Sequence, residues 1–572
     1  MQKEEHRIFT VGIGGAAGDG IMEAGNTLAK MLAALGYYVY ISFTYPSLIR
    51  GGHSFARVSF SAKKVWSDYK QLDILIALNG ESVSLHGAEL LPDGLLIVEQ
   101  SEQELGVTTG ERVITVSLSE ALAQVKAPRI AHSSIALGAL CSMCDFPLET
   151  LYTVLGKSLK NTESAFNTEL ARVGFEVARN QKCNYPIPLT VDREAREIVS
   201  GNIAFARGLI AAGLEYYLSY PMTPTTSLLH YLAKQQKRSN ITVFQPESEL
   251  AVINMALGVS YAGKRVAIGS ASGGFALMQE AFSLAGLAEL PLVVLVSQRQ
   301  APATGVPTYS SQTDLRFCIH AGHGEFPRIV IAPGDTEEAY LAGVEALNYA
   351  WEYQVPVIVL LDKILSEHAT TSELVPIKVS QESGHMAQSA DSNYGRYAIT
   401  HDGISPMAFP GTENTTVKVT SYEHDTKGLT VEDLPSVKAM IEKRRTKGAT
   451  MRESLTAHDG IKVSGDIKSD TALIFWGSTK GPVLESAQYL TRPVKFVQII
   501  RMEPFCTEEV SEALSGVKKI INIEANQNGQ LGGLLREHTG ICASDMILKF
   551  DSRPFEVLSL AKQINSILAT PL

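Results

Sequence analysis

Four short polar stretches carry the residues of this chain best suited to chemistry. Tyr220-Pro-Met-Thr223-Pro-Thr-Thr226 offers three hydroxyls on a turn that two prolines constrain. Gln245-Pro-Glu247-Ser-Glu249 places two carboxylates at the start of an apolar helical run, Leu250 to Tyr261. Gly269-Ser-Ala-Ser272-Gly-Gly274 is small and polar, and Ser297-Gln-Arg299 through Thr308 adds a guanidinium and another hydroxyl. Each stretch has a bland reading. Thr and Pro suit a helix start, and a carboxylate near a helix N-terminus is favoured by the macrodipole. All four, however, follow runs that read as strands, and α/β sheets bind ligands beyond the carboxyl ends of their strands. Topology therefore makes them converge, which weighs more than any one of them alone. The chemistry on offer is proton sharing by a partly desolvated carboxyl and capture of an anion by a guanidinium fork.

A fifth stretch, Gly12-Ile-Gly14-Gly-Ala-Ala17-Gly18-Asp-Gly20, joins a strand to a helix. Glycines let a backbone approach a ligand, and the helix start behind them favours an anion. Yet Ala17 holds the third glycine position, and Asp19 would repel a phosphate. A dinucleotide site, a structural turn and a different ligand all stay open. No GxxxxGK[ST] occurs, which excludes P-loop ATP hydrolysis. The six cysteines lack the tight run that a cubane cluster uses. Cys141 and Cys144 end an apolar helical pattern and read as buried small hydrophobes.

The elements that must position these residues fall into blocks. The chain has 572 residues, 45% of them hydrophobic and 19% charged, which rules out bulk disorder. Strand-like runs at 8–13, 38–43, 72–78 and 94–98, with a helix at 21–35, predict a largely parallel sheet covered on both faces. A proline-bearing linker follows near 184–189. A second alternating block spans about 200–368, with strands at 216–220, 241–244, 266–268, 292–297, 329–331 and 355–361. Residues 375–465 are polar and mostly aperiodic, too long for an ordinary loop, and read as a wrapping connector. A third block places strands at 472–476, 494–500 and 519–524. The net charge of −10, without a sustained basic stretch, argues against nucleic acid. No apolar run approaches the ~18 residues of a membrane span, and the charged start, Met1 to Arg7, does not read as a signal peptide. A cytoplasmic location is expected.

The ordered series of motifs resembles the α subunit of the 2-oxoacid:ferredoxin oxidoreductases, thiamine-diphosphate enzymes that form acyl-CoA. The resemblance is carried by Tyr220-Pro-Met-Thr-Pro224, Glu249, Ser270-Ala-Ser-Gly-Gly-Phe-Ala-Leu-Met278, Gln298 to Thr308, and Gln312-x-Asp314-Leu315. Arg396-Tyr, Asp402-Gly-Ile-Ser-Pro406, Pro410-Gly411 and Glu423-His-Asp425 are similar to the long-linker α subunits typified by 2-oxoglutarate oxidoreductase. Glu524-x-Asn526-x-x-Gly529-Gln530 matches the family's carboxyl-terminal domain. The first block, with Gly12 to Gly20, Ile49-Arg-Gly-Gly52 and Asp73 to Ala77, resembles the γ subunit fused ahead of α. Ser270-Ala-Ser-Gly-Gly and Gln300-Ala301 depart from the family's TSGPG and GG, which bears on specificity more than on reaction type.

The resemblance implies an α/β chain of three doubly wound domains: a γ-like, Rossmann-like domain at 1–185, a thiamine-diphosphate pyrimidine-binding domain at 195–370 and a transketolase C-terminal-like domain at 466–572, with a wrapping linker at 371–465. It implies CoA-dependent oxidative decarboxylation of 2-oxoglutarate, or the reverse carboxylation. Glu249 is then the residue on the aminopyrimidine, with Glu247 as its rival, and Pro221 and Ser272 are cofactor contacts. Arg299 clamps the substrate's 1-carboxylate, Thr223 and Thr308 bond the same end, and Arg50 or His53 meets a second carboxylate. After Gly18-Asp-Gly20 no asparagine stands about thirty residues on, so no metal site is expected in this chain. The resemblance leaves Mg²⁺, the diphosphate half and a [4Fe–4S] cluster to a β subunit in an (αβ)₂ heterotetramer that passes electrons to ferredoxin. Pyruvate or another 2-oxoacid as substrate, a non-catalytic assembly subunit, and a transketolase-type enzyme are the alternatives.

Overall fold

Three sheets organise the computed structural model, which describes residues 7–46, 52–99, 113–117, 122, 123, 125, 128, 131–159, 161–181, 184–187, 194–374, 385–387, 393–456 and 460–570. The chain divides into two compact units. One comprises 1–199 with 368–373, the other 200–367 with 374–572.

In the first unit an eight-stranded sheet runs in the order Val113–Val116, Leu90–Glu99, Leu72–Ala77, Phe9–Ala16, His53–Ser61, Tyr38–Thr44, Ala369–Ser372, Glu197–Ser200. Its first four strands pair in parallel. His53–Ser61 and Tyr38–Thr44 pair antiparallel with their neighbours, and Ala369–Ser372 adds to Tyr38–Thr44 antiparallel. The sheet is therefore mixed where a largely parallel one was expected. His53–Ser61 alternates Ser, Arg and His with apolar residues and shows no continuous hydrophobic run, although nearly all of it is buried. The helix His132–Met143 presses against Asn161–Asn180 so closely that a Cβ at Gly138 or Gly174 would meet the opposite backbone. Cys141 and Cys144 lie in this apolar core, as expected of small hydrophobes.

The second unit contains the other two sheets. Seven strands run Arg501–Glu503, Ile329–Ile331, Pro356–Asp362, Leu292–Gln298, Val266–Ser270, Tyr216–Leu218, Thr242–Phe244. All pair in parallel except the edge strand Arg501–Glu503. The central strands Leu292–Gln298 and Pro356–Asp362 are buried throughout, as sheets covered by helices on both faces require. On one face Gly201–Ala211 packs on Thr336–Tyr353, with Gly208 and Gly343 at the close approach. On the other, Glu249–Tyr261 and Gln279–Leu287 share a core with a five-stranded sheet, Ile461–Gly465, Lys495–Ile499, Thr471–Phe475, Lys519–Glu524, Asp545–Leu548. Each fully buried Leu, Ile or Val there contributes about 1.5–3 kcal/mol relative to exposure.

The connector holds more regular structure than its composition suggested. A helix of 22 residues, Leu434–Leu455, is capped by Asp433, whose side chain accepts from Ser436 N–H. Its buried positions are Met440, Lys443, Arg444, Lys447, Met451 and Leu455. Their spacing is helical, but three of the six are cations, so no apolar stripe marks the sequence. Glu289 receives Lys443 Nζ at 2.7 and 2.8 Å, and Lys447 Nζ also donates to it. Arg396 donates to the Glu289 carbonyl at 2.7 Å.

Candidate active site

The four polar loops named from the sequence follow Tyr216–Leu218, Thr242–Phe244, Val266–Ser270 and Leu292–Gln298, at the carboxyl edge of the seven-stranded sheet. Three of these strands are adjacent in parallel, with Thr242–Phe244 beside Tyr216–Leu218 at the edge, so the loops share one end of the sheet.

The first loop is held from beneath. Buried Asn202 donates to the Pro224 carbonyl at 2.9 Å and to Ser227 Oγ at 2.8 Å. Thr225 Oγ1 donates to the Met222 carbonyl at 2.8 Å. Pro221 and Thr223 stay partly exposed. The Thr223 carbonyl accepts a bond of 2.9 Å from Arg299 Nη1, which joins the first loop to the fourth.

In the second loop Ser248 caps the helix Glu249–Tyr261 by accepting from Ala251 N–H. Glu249, the first helical residue, is 6% exposed, whereas Glu247 is exposed. Glu249 Oε1 is buried and has no hydrogen-bond partner among the described residues. Such orphaned acceptors are rare and costly in folded proteins. The third loop leaves room for it. A Cβ on Gly274 would lie 2.9 Å from Glu249 Oε1 and would also meet Ser270 Oγ. Glycine at 274 thus keeps the carboxyl's surroundings open.

Ser272, two residues before, is buried and donates to Asp314 Oδ2. In the fourth loop Arg299 is 9% exposed, and burial lowers its pKa. Among the described residues it enters no ion pair, so its charge is largely stripped of water and uncompensated. The loop turns back through a Gln300–Val306 bridge, where Gly305 takes a positive φ of 54° and a side chain would strike the Gln300 backbone. Thr308 is buried at the end of this turn.

The structure therefore brings Thr223, Glu249, Ser272, Arg299 and Thr308 to one end of one sheet. Arg50 lies outside the described residues. His53 belongs to the first unit, where its Nε2 stands 3.0 Å from His86 Nε2 and His86 Nδ1 stands 3.1 Å from Glu89. Burial, reinforced by His86, lowers the His53 pKa.

Sequence reasoning passed over Gln298, Gln312 and Asp314 as site residues. Gln312 is fully buried and ties the fourth loop's continuation to the five-stranded sheet. It donates to the Trp476 carbonyl at 2.9 Å and accepts from Thr479 Oγ1 at 2.7 Å and Ala525 N–H at 2.8 Å. Glu524 in turn accepts from Trp476 Nε1, Asn522, Asn526 and the Leu531 and Gly532 amides. Their signals were the strings Gln298 to Thr308 and Gln312-x-Asp314-Leu315, which carry no partner in their own spacing.

A thiamine-diphosphate-binding family model, described as pyruvate flavodoxin/ferredoxin oxidoreductase, matches residues 207–443, and a second, pyruvate ferredoxin/flavodoxin oxidoreductase, matches 10–177. The α subunit of 2-oxoacid:ferredoxin oxidoreductase 2 from Aeropyrum pernix is 32% identical, over 98% of this chain and 97% of its own. This chain belongs to the 2-oxoacid:ferredoxin oxidoreductase α-subunit family. Within that family, the 2-oxoglutarate oxidoreductase subunit KorA of Mycobacterium tuberculosis is 26% identical, over 91% of this chain and 86% of its own. A solved structure of 2-oxoglutarate:ferredoxin oxidoreductase from Magnetococcus marinus, with 2-oxoglutarate, coenzyme A and succinyl-CoA bound, superposes with a TM-score of 0.87. It is 29% identical and covers 98% of this chain and 100% of that one. The chain is thus one subunit of an oxidoreductase that works with ferredoxin, and it contains a thiamine-diphosphate-binding domain. Among the described residues no helix is long and apolar enough to cross a membrane.

Proposed function

We propose that this subunit takes part in the CoA-dependent oxidative decarboxylation of 2-oxoglutarate, with Glu249 as the residue that engages the thiamine aminopyrimidine. The observation that carries the reading is the buried, partnerless Glu249 Oε1 beside the space that Gly274 keeps open. A carboxyl so placed fits a ring nitrogen as its missing partner. The balanced reaction converts 2-oxoglutarate, CoA and two oxidised ferredoxins to succinyl-CoA, CO₂, a proton and two singly reduced ferredoxins; the reverse is the reductive carboxylation. Bound thiamine diphosphate supplies the electron sink that lets the acid lose CO₂.

This chain's own residues do the rest of the positioning. Glu249 holds or yields a proton at the aminopyrimidine nitrogen, in a pocket dry enough to strengthen that bond. Arg299 receives the substrate's 1-carboxylate, which supplies the counter-charge its burial lacks. Its Nη1 is spent on the Thr223 carbonyl, which aims the remaining donors. Thr223 and Thr308 bond the same end of the substrate, and Pro221 and Ser272 contact the cofactor. Exposed Tyr220, Phe244, Leu250, Met255, Leu277 and Val306 on the site's loops and helices support a covering partner. That partner is a β subunit with Mg²⁺, the diphosphate half and a [4Fe–4S] cluster, in an (αβ)₂ assembly. The domain limits 1–185, 195–370, 371–465 and 466–572 complete the reading.

The 2-oxoglutarate assignment draws on the Magnetococcus marinus structure and the Mycobacterium relative; pyruvate, which both family models carry in their descriptions, is the second reading. Ferredoxin reduction by the assembled complex, assayed with 2-oxoglutarate, pyruvate and a branched-chain 2-oxoacid, tests it. Preference for 2-oxoglutarate in kcat/KM is expected, and preference for either of the others overturns the substrate.

A further inference from the structure

Just past the Arg299 loop stands a buried carboxyl that none of the roles above uses. Asp314 is 7% exposed and enters no ion pair among the described residues. It immediately precedes the helix Leu315–Ile319, where an aspartate usually caps by accepting a backbone N–H, yet its side chain makes no such bond. Ser272 Oγ donates to its Oδ2 instead. Its own N–H donates to Gln298 Oε1 at 2.9 Å, and Gln298 Nε2 donates to the Leu361 carbonyl at 3.2 Å. The backbone of Asp314 is thus anchored by the residue next to Arg299, and its carboxyl is turned toward Ser272. Burial raises its pKa to about 6, and the Ser272 bond opposes the rise. A buried carboxyl without a cation costs stability that packing alone would not justify.

What this does to Ser272 follows from counting hydrogens. A serine hydroxyl has one hydrogen and two lone pairs, and an ionised carboxyl only accepts. With its hydrogen committed to Asp314, Ser272 presents lone pairs alone to any other neighbour. We propose that Asp314 is a positioning residue that fixes Ser272 as a hydrogen-bond acceptor for an N–H of the cofactor's aminopyrimidine. The inference rests on the reading of Ser272 as a cofactor contact given above. Asparagine at 314 would break the arrangement, because its amide can donate to Ser272 and release the serine hydrogen to point outward.

A double-mutant cycle on the assembled α–β complex tests this. Thiamine diphosphate with Mg²⁺ is titrated into cofactor-free complex and its affinity read from fluorescence quenching, for wild type, Ser272→Ala, Asp314→Asn and the double variant. Each single change should weaken binding about 10-fold, the weight of one hydrogen bond, and the double variant should be no weaker than Ser272→Ala. Wild-type affinity in Asp314→Asn, or losses that multiply in the double variant, overturns the proposal. If Asp314→Asn fails to assemble, Ser272→Thr against Ser272→Ala decides: threonine keeps affinity and alanine loses it, whereas equal affinities overturn the idea. Glu249→Gln, run in parallel, separates the two layers. Intact turnover there removes the thiamine reading itself, while lost turnover with multiplying losses removes only the role of Asp314.

Discussion

Glu249 and Glu289 are both buried glutamates of the same unit, at 6% and 2% exposure, and they are opposites in company. Glu289 sits under the connector helix with Lys443 and Lys447 on its oxygens. Burial alone would raise its pKa, but Lys447, Lys443 and Arg396 outweigh it and hold the carboxyl well below the ordinary range. Glu249 has a cap residue behind it, glycine beside it and nothing on Oε1. A carboxylate whose partners are all in the chain is part of the architecture. One without a partner among the described residues, in a place that glycine keeps open, has room for a group the chain does not supply.

Replacing each tests that contrast hardest. Glu249→Gln should lower turnover of the assembled complex by about 10²–10⁴-fold, the usual weight of a positioned proton-transfer group, with the melting temperature unchanged or raised. Loss of both together would make Glu249 structural after all. Glu289→Ala should do the reverse. It leaves two buried ammonium groups facing each other and should cost about 3–5 kcal/mol of stability, seen as a drop in denaturation midpoint at constant m-value. A midpoint near wild type would show that the connector helix is held by its apolar contacts instead.

The Glu289 cluster also has a pH signature. Its carboxyl binds a proton more weakly folded than unfolded, so its contribution is fully present above the unfolded pKa of about 4.3. The contribution is lost as pH falls from there toward the folded value, because the unfolded state then takes up protons that the native state refuses. Unfolding free energy measured from pH 6 down to pH 3 should therefore fall more steeply in wild type than in Glu289→Gln. Parallel slopes would mean that the lysines do not hold the carboxyl ionised.

On the substrate side the contrast predicts a smaller effect. Arg299 is buried with no carboxylate partner among the described residues, and Arg299→Lys keeps the charge but loses the planar fork. KM for the 2-oxoacid should rise on the order of 10-fold, more than kcat falls, since the interaction is made with the ground-state carboxylate. An unchanged KM would place the carboxylate elsewhere.

How far the sequence revealed this depends on where each signal lives. The strands Leu292–Gln298 and Pro356–Asp362 were legible because burial on both faces writes a continuous apolar run. The connector helix was not, because its inward positions Lys443, Arg444 and Lys447 are cations whose reasons for burial are tertiary: Glu289, 154 and 158 residues away, for the two lysines, and Glu423 for Arg444. Arg501–Glu503 was missed for a similar cause: its partner is Ile329–Ile331, in another block of the chain. At the site, topology was enough to gather four loops. Spacing could not choose between Glu247 and Glu249, two residues apart, and only packing buries the second and exposes the first. Asp314 was visible as a letter in a motif, but that its side chain goes to Ser272 rather than to a helix cap is a tertiary fact.

The weakest expected effect sharpens the comparison from the other side. Arg445 and Glu442 lie on the same connector helix as Lys443 and Lys447, one turn apart, with N–O separation of 2.7 Å. By distance alone this pair equals Lys443–Glu289, which is also 2.7 Å. Its side chains, however, are 77% and 54% exposed, so water screens the attraction and the ordering of two long side chains offsets it. Arg445→Ala should leave the denaturation midpoint where it is. A shift comparable to that of Glu289→Ala would mean that proximity rather than burial decides what an ion pair contributes here, and the same reasoning would then no longer single out Glu249.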